Sequence, residues 1–420
     1  MTKQKPLDDS NGDSTNYNEG LKSTGISRRN FIKSGTIITA GIALPFQAAA
    51  TTGITASDAP KSIKIERPFH GAILNRRHGR EVDGGLRIPV SGTAPADVVV
   101  SVNGTKASRA GTVFSTEIVL LDKETDIIAV ARSQSGEQES RVRVVWDRHS
   151  VPRYHLSLDD NSFFLRDIAQ KKYASLFDCF YLKMLRRFHM KYKTKFVLNC
   201  YYATEEGFTL QEFPDRYKAE WRDNADWLQL AFHAHADTPS RPYQDTPPEK
   251  LIADLKQVNE QIVRFASEEV CSLPTNLHWA MCRQSAFKPL YEQGVRVLSG
   301  YFHQRDGKWD INYRFDGTRS KYISQHDMLK DFDSGIIFTN DDIVCNSVPV
   351  DQIEETLVPQ FENPNRAEIM LLLSHEQYFW PFYKNFIPDH EQRLDVALRL
   401  VTERGYKPVF FHEGLLGGPE

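Results

Sequence analysis

Ser157-Leu158-Asp159-Asp160-Asn161 sets two adjacent carboxylates at the end of an apolar run that begins at Tyr154. Two further runs end in the same kind of chemistry. His233, His235 and Asp237 close the run from Leu230, and His375 and Glu376 close the run from Met370. A carboxylate with two imidazoles is a ligand set for a borderline divalent ion, so Asp160, His233, His235 and Asp237 are candidate metal ligands. Neighbouring residues of an extended chain point to opposite sides, so one of Asp159 and Asp160 can face a metal while the other faces substrate or water. The same Asp-Asp-Asn-Ser stretch also suits the N-cap of a following helix. On a strand His233 and His235 share a face, whereas a helical turn after His233 would pair His233 with Asp237.

Histidine is the side chain whose ordinary charge change falls near neutrality, so His375 is the candidate general acid, and Glu376 could orient it or bind substrate. Tyr378 and Trp380 lie in an aromatic loop suited to stacking on a sugar ring, or simply to packing. His278 and Trp279 end another apolar run. His278 reads as a further ligand or a substrate contact, and Arg283, just beyond, could hold a carboxylate or sulfate with its fork of donors. Serine-hydrolase elbows, phosphate-binding glycine loops and the H-E-x-x-H zinc motif are all missing from the sequence.

These groups need strands to carry them. From Val151 onward apolar runs alternate with amphipathic helical patterns such as Glu249–Glu268 and Pro388–Gly405. Strands are expected at Tyr154–Leu158, Lys195–Cys200, Leu228–Phe232, Asn276–Trp279, Val295–Ser299, Ile336–Thr339, Glu368–Leu373 and Pro408–Phe411. Seven or eight such units in about 270 residues predict an α/β fold, a TIM-like (β/α)7-8 barrel, complete or distorted, over residues 151–420. An open doubly wound sheet is the other topology this pattern allows. Residues 62–148 read instead as short alternating strands with turn signals, Asn103-Gly104 among them, and predict a small Ig-like β-sandwich.

Residues 1–50 carry Ser27-Arg28-Arg29-Asn30-Phe31-Ile32-Lys33, a short apolar stretch and Ala48-Ala49-Ala50, which resembles a twin-arginine export signal. That reading implies a periplasmic or secreted protein, with residues 51–61 as a linker and no stable membrane span once the signal is cleaved. A net charge of -3 with 25% charged residues gives no reason to expect a nucleic-acid partner. The five cysteines are scattered and form no C-x-x-C, so single structural thiols are expected.

The segment after residue 151 resembles the polysaccharide deacetylase (NodB-homology) superfamily. Its T-F-D-D-G motif is similar to Ser157–Asn161, which implies that Asp159 is the catalytic base and Asp160 a metal ligand. Its H-[ST]-x-x-H motif is similar to His233–Asp237, with Asp237 at the second histidine position and His235 as an added candidate. Its late histidine corresponds to His375. The glycine of the first motif is Asn161 here, and the arginine motif R-x-P-Y has no counterpart in its usual place, where His278-Trp279 falls. The resemblance implies an exported, zinc-dependent carbohydrate deacetylase acting on a polysaccharide or oligosaccharide. A lyase or dehydratase acting on uronate sugars from the same metal site, and a non-catalytic glycan-binding protein, are the alternatives.

Overall fold

The computed structural model describes residues 60–134, 136–204 and 206–413. The export signal and nearly all of the linker lie outside the described residues.

Between Lys64 and Trp146 the chain forms two five-stranded sheets. In one, Gly85–Thr93 lies antiparallel between Lys64–Arg67 and Val113–Leu120. In the other, Gly136–Trp146 and Glu124–Ser133 pair along their whole length, with Val99–Val102 beside them. Alternation decides which side chains turn inward: Leu86, Ile88 and Val90 meet Val100, Phe114, Ile127 and Val144 in one core. Asn103 and Gly104 both take positive φ, 45° and 80°, as the two-residue hairpin turn requires.

The strands that follow are labelled from here. β1 (Arg153–Asn161), β2 (Phe196–Tyr201), β3 (Leu228–Ala234) and β6 (Ile369–His375) belong to one parallel sheet, ordered β3-β2-β1-β6. β4 (Val297–Gly300) and β5 (Ile337–Asn340) pair in parallel in a second sheet. Nearly every residue of β1, β2 and β3 is buried, as expected of parallel strands covered on both faces. Helices α1 (Phe163–Lys171), α2 (Phe180–Tyr192), α3 (Pro248–Phe265) and α4 (His390–Glu403) supply cover. α3 begins with a proline in its first turn and buries Leu251, Leu255, Val258, Ile262 and Phe265 along one stripe.

The mixed α/β class is as expected, but strand pairing gives a six-stranded sheet, a three-stranded sheet and a two-stranded hairpin rather than one continuous ring. Between the two larger sheets runs the segment 270–275, bonded to β3 through Leu230 N to Val270 O at 2.9 Å and Ser272 N to Leu230 O at 2.8 Å, and to β4 through Ser299 N to Thr275 O at 2.7 Å. Pairing breaks at residues 341–342, between Ile337–Asn340 and Ile343–Val344, and again at the expected strand Asn276–Trp279. There Trp279 and Ala280 adopt φ of 62° and 43°, so the chain coils into a turn and cannot continue a ladder.

The sandwich and the α/β part share a core: Ile73 and Val145 pack with Val297, Met328, Ile337, Ile369 and Leu371. Buried charge reinforces the seam. Glu368 receives Arg76 at 2.9 Å, Arg77 at 2.5 Å and the Ser150 hydroxyl at 3.0 Å, while Arg153 meets Asp147 at 2.8 Å. All five cysteines are free. Among the described residues no helix is long and apolar enough to cross a membrane.

Candidate metal centre

Parallel strands all point the same way, so the ends of β1, β2, β3 and β6 fall along one edge of the sheet. Two bulges at that edge aim the side chains. In β1 the partner of Leu158 is Leu198, but the partner of Asn161 is Cys200, so one residue is extra. Asp160 absorbs it with a left-handed φ of 59°, a conformation that aspartate tolerates better than most residues. In β3, Phe232 pairs with Cys200 and Ala234 with Tyr201, leaving His233 as the extra residue.

The first bulge sends Asp160 across to β3, where its Oδ1 lies 3.1 Å from His233 Nε2. His278 Nδ1 is 3.1 Å from the same His233 nitrogen and 3.4 Å from Asp160 Oδ1. Ligands held at 2.0–2.1 Å in a tetrahedron are separated by about 3.3 Å, so this triangle has the size an ion such as zinc needs. Asp160, His233 and His278 are the group of residues able to hold a metal ion among the described residues.

His278 thus stands where the sequence placed His235 or Asp237. The bulge at His233 breaks the two-residue alternation, so His235 no longer shares its face. Its ring stacks on Tyr202 instead, 5.0 Å between centroids, and its side chain is 41% exposed. Asp237 reaches the far nitrogen of His278, Oδ1 to Nε2 at 3.2 Å, and so orients a ligand from behind. His278 stands immediately before the left-handed turn at Trp279.

The electrostatics suit a cation. Burial works against charge on Asp160, yet its bonds to His233 and His278 hold the carboxyl well below the usual carboxylate range. Burial likewise pulls His278 down, but Asp160 and Asp237 outweigh it and carry the imidazole up to about 9. Gln377 Nε2 donates to Asp160 Oδ2 at 2.5 Å and holds the other carboxylate oxygen. Gln377 had no sequence signal beyond its place two residues after His375.

Asp159, 2% exposed, is held by its own set of donors. Its Oδ1 accepts from Ser157 Oγ at 2.8 Å and Asn199 Nδ2 at 2.7 Å, and its Oδ2 accepts from Asn276 Nδ2 at 2.5 Å. A carboxylate offers about four acceptor positions, so one remains on Oδ2. His375 is the register partner of Asp159 on β6. Its Nδ1 lies 2.8 Å from the Asn346 amide oxygen, which can only accept, so Nδ1 carries the proton and Nε2 is the exchangeable nitrogen. Asn161 needs no glycine-like backbone, because Asp160 takes the left-handed turn. The Asn161 amide instead donates to the Leu158 and Asn199 carbonyls.

Two expected substrate contacts are structural. Glu376 is fully buried, and its carboxylate accepts from the backbone amides of Ser162, Phe163 and Phe164 at 2.6, 3.0 and 2.6 Å and from Trp380 Nε1 at 2.9 Å. It caps α1, whose own N-cap Ser162 makes no side-chain bond. Burial raises Glu376 to about 7, with the amide donors opposing that rise. Trp380 is buried and serves the same cap. Glu376→Ala is therefore expected to lower unfolding free energy by about 3 kcal/mol, the range for stripping buried donors of their acceptor, with metal binding intact. Urea denaturation of the purified variant measures this.

Tyr378 is half-buried with its ring edge-on to His375, centroids 6.1 Å apart, and is the loop aromatic that borders the site. Trp279 lies under the Arg241 guanidinium, 4.9 Å from the ring centre. Arg283 is exposed.

No family model matches the chain, and no curated protein matches it. Solved structures give distant likenesses. The 4-alpha-glucanotransferase from Thermococcus litoralis is similar at 10% identity and a TM-score of 0.41, over 63% of this chain and 40% of that one. A Bacteroides ovatus GH5 xyloglucanase is similar at 10% identity and a TM-score of 0.27, over 81% of this chain and 100% of that one. The fibronectin(III)-like modules of Clostridium thermocellum CbhA are similar at 15% identity and a TM-score of 0.16, over 20% of this chain and 96% of the module structure. At the end of the parallel sheet the chain's own side chains bring together Asp160, His233 and His278, a group that could hold a metal ion.

Proposed function

We propose that this protein is a divalent-metal hydrolase that removes an acyl group, acetyl in the simplest case, from a polysaccharide or oligosaccharide. The observation that carries the reading is the Asp160–His233–His278 triangle beside the register pair Asp159 and His375. Asp160, His233 and His278 would hold the ion, and two nitrogens with one carboxylate oxygen suit zinc. Such an ion, when bound, supplies a Lewis acid that polarises an acyl carbonyl and makes water more acidic.

The chain's own groups do the proton work. Asp159 accepts the proton of the attacking water at the open position of Oδ2. Ser157, Asn199 and Asn276 keep that carboxylate from rotating. His375, fixed through Nδ1 by Asn346, returns a proton from Nε2 to the departing sugar oxygen or nitrogen. Tyr378 offers a ring face beside His375 for a sugar. Export is part of the proposal and rests on Ser27–Lys33 and Ala48–Ala50.

Incubating the metal-replete protein with acetylated and uronate-containing oligosaccharides, read by mass, tests this. Loss of acetyl supports it. Loss of water would point to elimination, and tight binding without any mass change would point to a glycan-binding protein. Full deacetylation by a sample stripped of its ion would refute the metal requirement.

A further inference from the structure

Three separate segments meet beside His278. The first, residues 235–245, carries Asp237, whose Oδ1 stands 3.2 Å from His278 Nε2. The second is the turn His278–Ala280, which holds the ligand itself. The third begins at Asp310, just past the hairpin of Gln304-Arg305 with Lys308-Trp309. Asp237 alone is a poor guide for a ring. Its side chain is 65% exposed, and an exposed side chain turns to solvent readily unless its segment is held.

Arg241, four residues on, supplies the hold. Its two terminal nitrogens donate to Asp310 Oδ1 at 2.5 Å and to Asp310 Oδ2 at 2.6 Å, a fork closed on a carboxylate. The same guanidinium covers the ring of Trp279, the residue after His278. One side chain thus ties the Asp237 segment to both of the others. The ring of contacts closes behind it. Tyr313 N donates to Ala280 O at 2.8 Å, and Arg314 reaches back to the Gln244 carbonyl at 3.0 Å and to Asp245 at 2.8 Å. Arg241 itself adopts a left-handed φ of 54°, which an arginine keeps only where its surroundings hold it. Its guanidinium holds the Asp310 carboxyl below the usual carboxylate range, so the pair stays charged at neutral pH.

We propose that Arg241, latched to Asp310 over Trp279, is a positioning residue of the metal centre that keeps Asp237 on His278 Nε2. With Nε2–H donating to Asp237, the lone pair of His278 stays on Nδ1, the nitrogen beside Asp160 and His233. The inference rests on the metal reading above and is independent of acyl hydrolysis.

The test is zinc affinity by chelator competition, using the full chain as wild type, Arg241→Gln, Asp237→Ala and the double variant. Arg241→Gln is expected to hold zinc about 10-fold more weakly, the lower end for partners outside the ligand shell. In the Asp237→Ala background it should add nothing, whereas a merely structural role would weaken both backgrounds alike. Asp310→Asn opens the latch from its other side and should repeat the pattern, which decides the matter even if Arg241→Gln folds poorly. Equal losses with and without Asp237, or unchanged affinity in both latch variants, would overturn the inference and leave the metal centre standing. Failure of wild type to bind any ion would overturn both.

Discussion

His278→Ala is expected to lower affinity for zinc by more than ~100-fold, because even outer partners of metal ligands are worth about 10–100-fold. The substitution leaves Asp160 and His233 facing an incomplete polyhedron and strands Asp237 without its imidazole. The pH profile should change with it. In the metal-free protein, burial lowers His278 but Asp160 and Asp237 raise it further, to about 9 against an ordinary 6.5. A proton therefore competes with the ion, and wild-type affinity should climb as pH rises toward 9. The alanine variant should lack that part of the slope. The same sign governs stability. A folded-state value above the unfolded one means that the contribution of His278 to the metal-free fold is complete below about pH 6.5 and fades as pH passes about 9. Chelator competition across this range measures the affinity, and equal affinity in the two proteins would remove His278 from the ligand set.

Asp159→Asn is expected to lower turnover by ~10²–10⁴-fold while the ion stays bound, since it removes a general base and leaves the triangle untouched. The amide also brings a donor into a nest of donors. Ser157, Asn199 and Asn276 all point hydrogens at the carboxylate, so one of them must lose its acceptor. Some loss of stability, about 1–3 kcal/mol, should accompany the loss of rate. Metal content and melting of the variant separate the two effects. A variant that keeps its fold, its metal and full turnover would take the base role away from Asp159.

Much of this centre was legible in the sequence, for a physical reason. Parallel strands are apolar until they stop, so polar residues at the ends of such runs collect along one edge; Asp160 and His233 were found that way, and Asp159 and His375 lie side by side on neighbouring strands. The misplacements share another cause. His235 was drawn to the metal by an alternation that a single bulge at His233 cancels. His278 was left between ligand and substrate contact because nothing in Asn276–Trp279 announces a left-handed turn at Trp279. Glu376 looked like a support for His375 or a substrate contact, yet its partners are the backbone amides of residues 162–164, and backbone groups leave no mark in a sequence. Arg241 was invisible for a related reason: an arginine in a loop is ordinary until one sees what its guanidinium touches. Strand pairing is interrupted where the expected fourth strand became a turn.

The seam at Glu368 has a practical meaning for anyone recombining this protein. Its leading module is no detachable cassette: Ile73 and Val145 help to build the floor beneath the sheet, and Arg76 and Arg77 neutralise an acid that the other half has sunk. A chimera that grafts the α/β half onto a foreign partner would inherit an exposed oily base and an orphaned carboxylate. Residues 72–77 and 143–148 would have to travel with it.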